Sequence, residues 1–170
     1  MVSVIMATFN EPVEYLSQAV DSILGQTHDN LELLIADDST SAATIQAIDD
    51  YAHSDKRVTV IRGKDRMGVA GARNAALQKA RGELIALMDA DDISLHDRLE
   101  KQVRYAGEHP EIDLFGGHIH IIDGNNKVTS HRKYKVDNAH FMRMFAYRNP
   151  LAHPTIMFRR AIDRDRKSVV

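Results

Sequence analysis

The chain has no cysteine, which excludes a disulfide framework and any thiolate metal site. It has no basic surplus either. Lys and Arg number 22 against 24 Asp and Glu, a net charge of −2, so nothing argues for a nucleic acid polymer as partner. No apolar stretch approaches the ~18 residues of a membrane span. The opening "MVSVIMATFN" carries no charge ahead of its apolar run, so no secretory signal is expected and a cytoplasmic location follows by default. Internal repeats and low-complexity linkers are missing too. What remains is a chain of 170 residues, 44% hydrophobic, long enough for one domain with a real core.

Through residue 110 the sequence alternates between two periods. "VSVIMAT" (2–8), "LELLIA" (31–36), "RVTVIR" (57–62) and "ELIALM" (83–88) read as strands. Between the first two, Val13, Leu16, Val20, Ile23 and Leu24 recur at helical spacing, with Pro12 suited to a first turn. "SAATIQAIDDYAHS" reads as a second helix with Ser41 as N-cap. "GVAGARNAALQKARG" reads as a third, closed by Gly82. "SLHDRLEKQVRYAGEHP" reads as a fourth, capped by Ser94 with help from Asp92. Such alternation predicts a three-layer α/β/α fold with a mostly parallel sheet. Beyond Pro110, "IDLFGGHIHIID" and "KVTSHRKY" read as strands around a "GNN" turn, "NAHFMRMFAYR" as a short helix and "PTIMFRR" as a last strand. Residues 1–160 are expected to form the domain and 161–170 a charged tail.

Ligands of parallel sheets sit beyond the carboxyl ends of the strands. Those ends carry "ATFNEP", "ADDSTS", "RGKDRMGVAGARN" and "DADD". Phe9 either plugs the core or, beside Asn10 and Glu11, stacks on a planar base. Asp37 and Asp38 are either turn formers or acceptors for an imide N–H of a pyrimidine. Gly68 and Gly71 are weak evidence alone. Arg73, near the start of a helix, is either a surface residue or a phosphate ligand. His118 and His120 alternate on a strand and read as solvated or stacked rather than metal-bound.

The "DADD" cluster is the most informative. Asp89 and Asp91 are two residues apart, so in extended backbone they face the same side. Two such oxygens suit a hard cation, Mn²⁺ or Mg²⁺, whose shell is completed by phosphate and water.

Together, "VSVIMATFNE", "LELLIADDST", "GVAGARNAALQKARGELIALMDADD" and "NPLAHPTIMFRR" resemble the inverting family 2 glycosyltransferases of GT-A fold, over about residues 2–160. The resemblance implies a nucleotide-diphospho-sugar donor, with uracil favoured, and a glycan or lipid-linked acceptor in cell-surface polysaccharide synthesis. It also implies peripheral association with the inner membrane face. By position, Ala7, Thr8 and Phe9 would contact the base, Glu11 would match the family's acidic position, and Asp38 would bind the imide. Arg73 would lie near base and phosphates. Asp89 and Asp91 would form the D-x-D motif, with Asp91 on the metal and Asp89 on metal or ribose. His153 matches a family histidine without an assigned role.

One family feature is missing. The segment carrying the catalytic base has no match, and Asp163 and Asp165 do not occupy it. The chain therefore reads as the donor half of such an enzyme, or alternatively as a non-catalytic nucleotide-diphosphate-binding module. A phospho-accepting signalling domain would need its acidic pair at the first strand and a lysine at the last, and has neither.

Overall fold

A computed structural model describes residues 1–134, 143, 147 and 150–161. The expected helix at 138–148, apart from Arg143 and Tyr147, and the tail carboxylates Asp163 and Asp165 lie outside the described residues.

The element order is β1 (Val2–Thr8), α1 (Val13–Leu24), β2 (Leu31–Asp37), α2 (Ala42–Ser54), β3 (Val58–Ile61), α3 (Gly68–Lys79), β4 (Leu84–Asp89) and α4 (Arg98–Glu108). Then come β5 (Leu114–Phe115), β6 (Ile119–Ile122), β7 (Val128–Arg132), a 3-10 turn (His153–Thr155) and β8 (Met157–Arg159). Six strands form one sheet in the order β3-β2-β1-β4-β8-β5, while β6 and β7 form a separate hairpin. The first four strands are parallel and β8 is antiparallel to both its neighbours.

The continuous apolar runs of β1 and β2 fit burial on both faces, and every residue of β2 is buried. On one face Leu16, Val20 and Ile23 of α1, Ile48 of α2 and Leu99 of α4 pack on the sheet. On the other, Ala72 and Ala76 of α3 pack on Ile5, Leu34 and Ile85. Small residues let α3 sit close to the strands. The chain thus changes face between β3 and β4, and β1 and β4 diverge from a switch point.

Three sequence expectations are corrected. Helix α3 ends at Lys79 with Ala80 as cap. Gly82 does not close it: a Cβ there would lie 2.6 Å from Ser3 N, so this glycine serves a close approach to β1. Helix α4 begins at Arg98, and neither Ser94 nor Asp92 caps it. Buried Gln26 does so from the end of α1: Leu99 N–H donates to its Oε1 at 2.9 Å, and its Nε2 donates to Leu95 O at 2.7 Å. Residues 92–97 are thereby kept out of the helix. "IDLFGGHIHIID" is two strands, split at Gly116–Gly117, where Thr155 Oγ1 approaches and accepts from Gly117 N–H at 2.9 Å. The N-cap Ser41 accepts from Thr44 N–H as expected, and His120 stacks edge-on against His131.

Candidate nucleotide site

The register sets the site. Ala7 pairs with Asp89 on one side, and Thr8 with Asp37 on the other. The ends of β1, β2 and β4 therefore form one row at the switch point. The β8 segment completes it: Leu87 N–H donates to Ile156 O at 2.9 Å, which brings the His153–Thr155 turn up against the end of β4.

At the end of β1 the chain turns sharply through Asn10, at φ 60°. Asparagine tolerates this left-handed region better than most residues. Its Oδ1 accepts from Thr40 and Ser41 N–H, each at 2.8 Å, which pins the β1 end to the start of α2. Glu11 folds back, and its Oε2 accepts from Thr8 Oγ1 and from Phe9 N–H, both at 2.6 Å. Glu11 thus shapes the loop that leaves the Phe9 ring 40% exposed.

The two acidic residues after β2 separate. The Asp37 side chain is fully buried and accepts from Arg62 Nε at 2.8 Å and from Ser39 N–H at 2.8 Å. Asp38 reaches across to α3, where its two oxygens accept from Met67 N–H at 3.1 Å and Gly68 N–H at 2.7 Å. A carboxylate at a helix N-terminus is favoured by unpaired amides and the dipole. Gly68 adopts φ +66° there, a conformation that a side chain would resist.

Asp89 sits between two bases. Arg73 Nη2 donates to its Oδ1 at 2.8 Å, and His153 Nδ1 lies 3.3 Å from the same oxygen. Among the described residues, that buried ring nitrogen has no well-aligned hydrogen-bond acceptor. Burial alone would raise the Asp89 pKa, but His153 and Arg73 together hold it below the usual carboxylate value.

Asp91 is different. The backbone is extended only as far as Asp89 and turns at Ala90–Asp91, so the argument from extended spacing fails and the two carboxylates have different neighbours. Asp91 is exposed and lines an open groove with Tyr15, Gln18, Ile93, Ile122 and Asp123. Asp92 is pushed up to about 6, by burial first and then by the charges of Asp91 and Asp89.

The counter-charge below this loop is Arg98, which sequence reading passed over. Its Nη2 donates to Leu87 O at 2.9 Å and its Nε to Gln102 Oε1 at 3.0 Å, while Gln102 Nε2 donates to Thr155 O at 2.8 Å. One chain of hydrogen bonds thus joins β4, α4 and the turn that carries His153. Burial lowers Arg98 to about 10, against the pull of Asp92 and Asp89, so it stays charged at neutral pH. The sequence signal was an arginine in the first turn of a helix, where a cation is disfavoured by the dipole.

Among the described residues no group of three His, Cys, Asp or Glu side chains is arranged to hold a metal. The carboxylates present still suit a hard divalent ion as a partial shell. Asp91 is exposed, and both Asp91 and Asp89 are near enough to Asp92 to raise the cost of its charge. Ions of this kind complete such shells with phosphate and water.

A doubly wound sheet with acidic and basic groups gathered at its switch point is the arrangement at which α/β domains take their ligands. Residues 3–166 match the family model described as glycosyl transferase family 2, and the chain belongs to that family. It is 34% identical to an uncharacterized glycosyltransferase of Methanocaldococcus jannaschii, over 95% of this chain and 57% of the relative. It is 36% identical to the Escherichia coli UDP-Glc:alpha-D-GlcNAc-diphosphoundecaprenol beta-1,3-glucosyltransferase WfgD, over 75% of this chain and 49% of the relative. S. aureus TarS 1–349 in complex with UDP-GlcNAc superposes with a TM-score of 0.74 at 23% identity, covering 98% of this chain and 47% of that 1–349 chain. The mannosyltransferase PcManGT from Pyrobaculum calidifontis, in complex with GDP-Man and Mn²⁺, superposes at 0.70 and 24%, covering 96% and 46%. These likenesses place the fold in the GT-A class. The chain spans about half the length of the curated relatives it matches.

Proposed function

We propose that the chain is the donor-binding half of an inverting glycosyltransferase. It would take a nucleotide-diphospho-sugar, a UDP-sugar by preference, with Mn²⁺ or Mg²⁺, and pass the sugar to a glycan or lipid-linked acceptor at the cytoplasmic face of the membrane. No helix among the described residues is long and apolar enough to cross a membrane. The observation that carries the reading is the alignment of the ends of β1, β2 and β4, followed by Phe9, Asp38 and the exposed Asp91, with Arg73 of α3 paired to Asp89 at the β1/β4 switch point. Family membership and the ligands named for WfgD, TarS and PcManGT support it.

In this reading Ala7 and Thr8 line the base slot, Phe9 stacks on the base, and Glu11 holds that loop in place. Asp38 keeps α3 at the edge of the base slot and offers its remaining lone pairs to an imide N–H. Arg73, already aimed at the row, meets the diphosphate and balances the charge left on the leaving group. Asp91 and Asp89 hold the divalent ion, which supplies Lewis-acid stabilisation to that same leaving group. The acceptor oxygen attacks the anomeric carbon opposite the diphosphate, and a general base takes its proton. That base has no assignment among the described residues.

The test is thermal unfolding with UDP, with and without Mn²⁺. UDP at 100 times its dissociation constant stabilises by about 2.7 kcal/mol, or ~5–10 °C for a domain of this size. EDTA or Asp91→Ala abolishes the shift, while Asp91→Ala without ligand unfolds within ~0.5 kcal/mol of wild type, as expected for an exposed side chain. Equal UDP affinity in EDTA and in Mn²⁺ would sink the metal assignment. No response to any nucleotide would sink the reading.

A further inference from the structure

The Phe9 ring is exposed but not bare. The guanidinium carbon of Arg66 lies 3.9 Å from its centroid. Arg66 belongs to the loop between β3 and α3, two residues before Gly68. It is exposed, and among the described residues it forms no ion pair with a carboxylate. Among the described residues, the contact given for its guanidinium is the aromatic face of Phe9.

A planar base in van der Waals contact with Phe9 sits ~3.5–4.0 Å above the ring. That is the layer Arg66 occupies, so base and guanidinium exclude each other from this face. An arginine expelled from it has a long stem and a fork suited to phosphate oxygens. It would be released beside the N-terminus of α3, on the edge that also carries Arg73 and Asp89.

We propose that Arg66 is a nucleotide-binding residue that covers the stacking face of Phe9 in the free protein and moves to the diphosphate when a base takes that face. This rests on reading the strand-end row as a nucleotide-diphosphate site. Arg66 then acts with opposite sign on the two parts of the ligand. It competes with the base and pairs with the phosphates. Nucleosides without phosphate are disfavoured, and nucleoside diphosphates are selected.

Binding of uridine and of UDP in Mn²⁺ is compared by NMR titration and calorimetry for wild type, Arg66→Ala and Arg66→Lys, with guanosine and GDP in parallel. An exposed cation–π contact is worth about a two- to fivefold change in equilibrium constant. Arg66→Ala is therefore expected to tighten nucleoside binding about two- to fivefold. The advantage of the diphosphate over the nucleoside is expected to fall about tenfold, the scale of one hydrogen bond to a charged group. Arg66→Lys keeps most of that advantage, because it keeps the charge. If Arg66→Ala leaves nucleoside affinity unchanged or weaker while wild type binds UDP, the inference is overturned and the nucleotide-site reading stands. An unchanged diphosphate advantage overturns it equally. If wild type binds none of the four ligands, both fall together.

Discussion

Two strand ends look alike in sequence, "DD" after β2 and "DADD" after β4, yet the fold treats them in opposite ways. After β2 every carboxylate oxygen is used. Asp37 is buried against Arg62, and Asp38 is held by two amides at the start of α3. After β4, Asp89 is paired to Arg73, Asp91 is exposed, and Asp92 is crowded by its neighbours' charge. A carboxylate that is satisfied inside the protein first holds the site's shape, and meets a ligand only with the lone pairs left over. One left unsatisfied at a strand end is available to a ligand. The difference lies in what faces each cluster: a helix N-terminus and an arginine in the first case; in the second, Arg73 and His153 for Asp89, solvent for Asp91, and Arg98 below the loop.

That arginine offers the hardest way to break the contrast. Arg98→Ala removes the charge under the acidic loop and leaves Leu87 O and Gln102 Oε1 without their donor. The expected cost is about 2–3 kcal/mol, a fall in Tm of ~4–12 °C. Arg98→Met keeps the packing of the stem and should recover only part of it. A melting curve for Arg98→Ala that overlays wild type would show that the loop does not depend on this charge.

The second test separates shape from ligand binding. Asp38→Ala, in the absence of nucleotide, should cost about 1–2 kcal/mol, the scale of a lost N-terminal cap. Asp91→Ala should cost nearly nothing. Circular dichroism melts of both, side by side, decide it. Equal melting temperatures would mean that Asp38 is as dispensable to the fold as Asp91, and the contrast between the two strand ends would collapse.

Much of this was legible before the fold was known. The apolar runs of β1, β2 and β4 set the sheet, and the rule for strand ends picked out Phe9, Asp38, Arg73 and Asp89. What escaped reading were polar residues that act across long separations. Gln26 caps a helix 73 positions away, and no local pattern marks a glutamine for that. Asn10 is only a strand-end neighbour of Phe9 in sequence, but its side chain is tied to Thr40 and Ser41 beyond β2. Spacing put Asp89 and Asp91 on the same side because the alternation of a strand was extended two residues past its end. Ser94 had the right residue type for a cap, and lost the role because α1 holds its loop extended.

The smallest effect is the most diagnostic, because it sets two carboxylates of one loop against each other. Asp92 is raised in the folded state from 3.8 to about 6. Between about pH 4 and 6 the folded protein therefore binds more protons than the unfolded chain, and stability falls as pH rises through that window. Above it the loss is complete and constant. A shift of this size would correspond to about 3 kcal/mol if fully expressed, but the carboxyl is partly open to water, and screening reduces the expectation to about 1 kcal/mol. Asp92→Asn should therefore raise stability by about 1 kcal/mol at pH 7 and leave it unchanged near pH 4. Asp89 has the opposite sign. Its folded pKa is depressed, so its contribution is present above the unfolded value and disappears as pH falls through the folded one. Asp89→Asn should lose stability at pH 7 and converge on wild type in acid. Melting temperatures of the three proteins from pH 3.5 to 8, in EDTA, give the two slopes directly. If Asp92→Asn tracks wild type at every pH, Asp92 carries no charge strain, and the loop after β4 is as well compensated as the one after β2. If the slope is present and Mn²⁺ flattens it, the unsatisfied charge of the loop is what the cation binds.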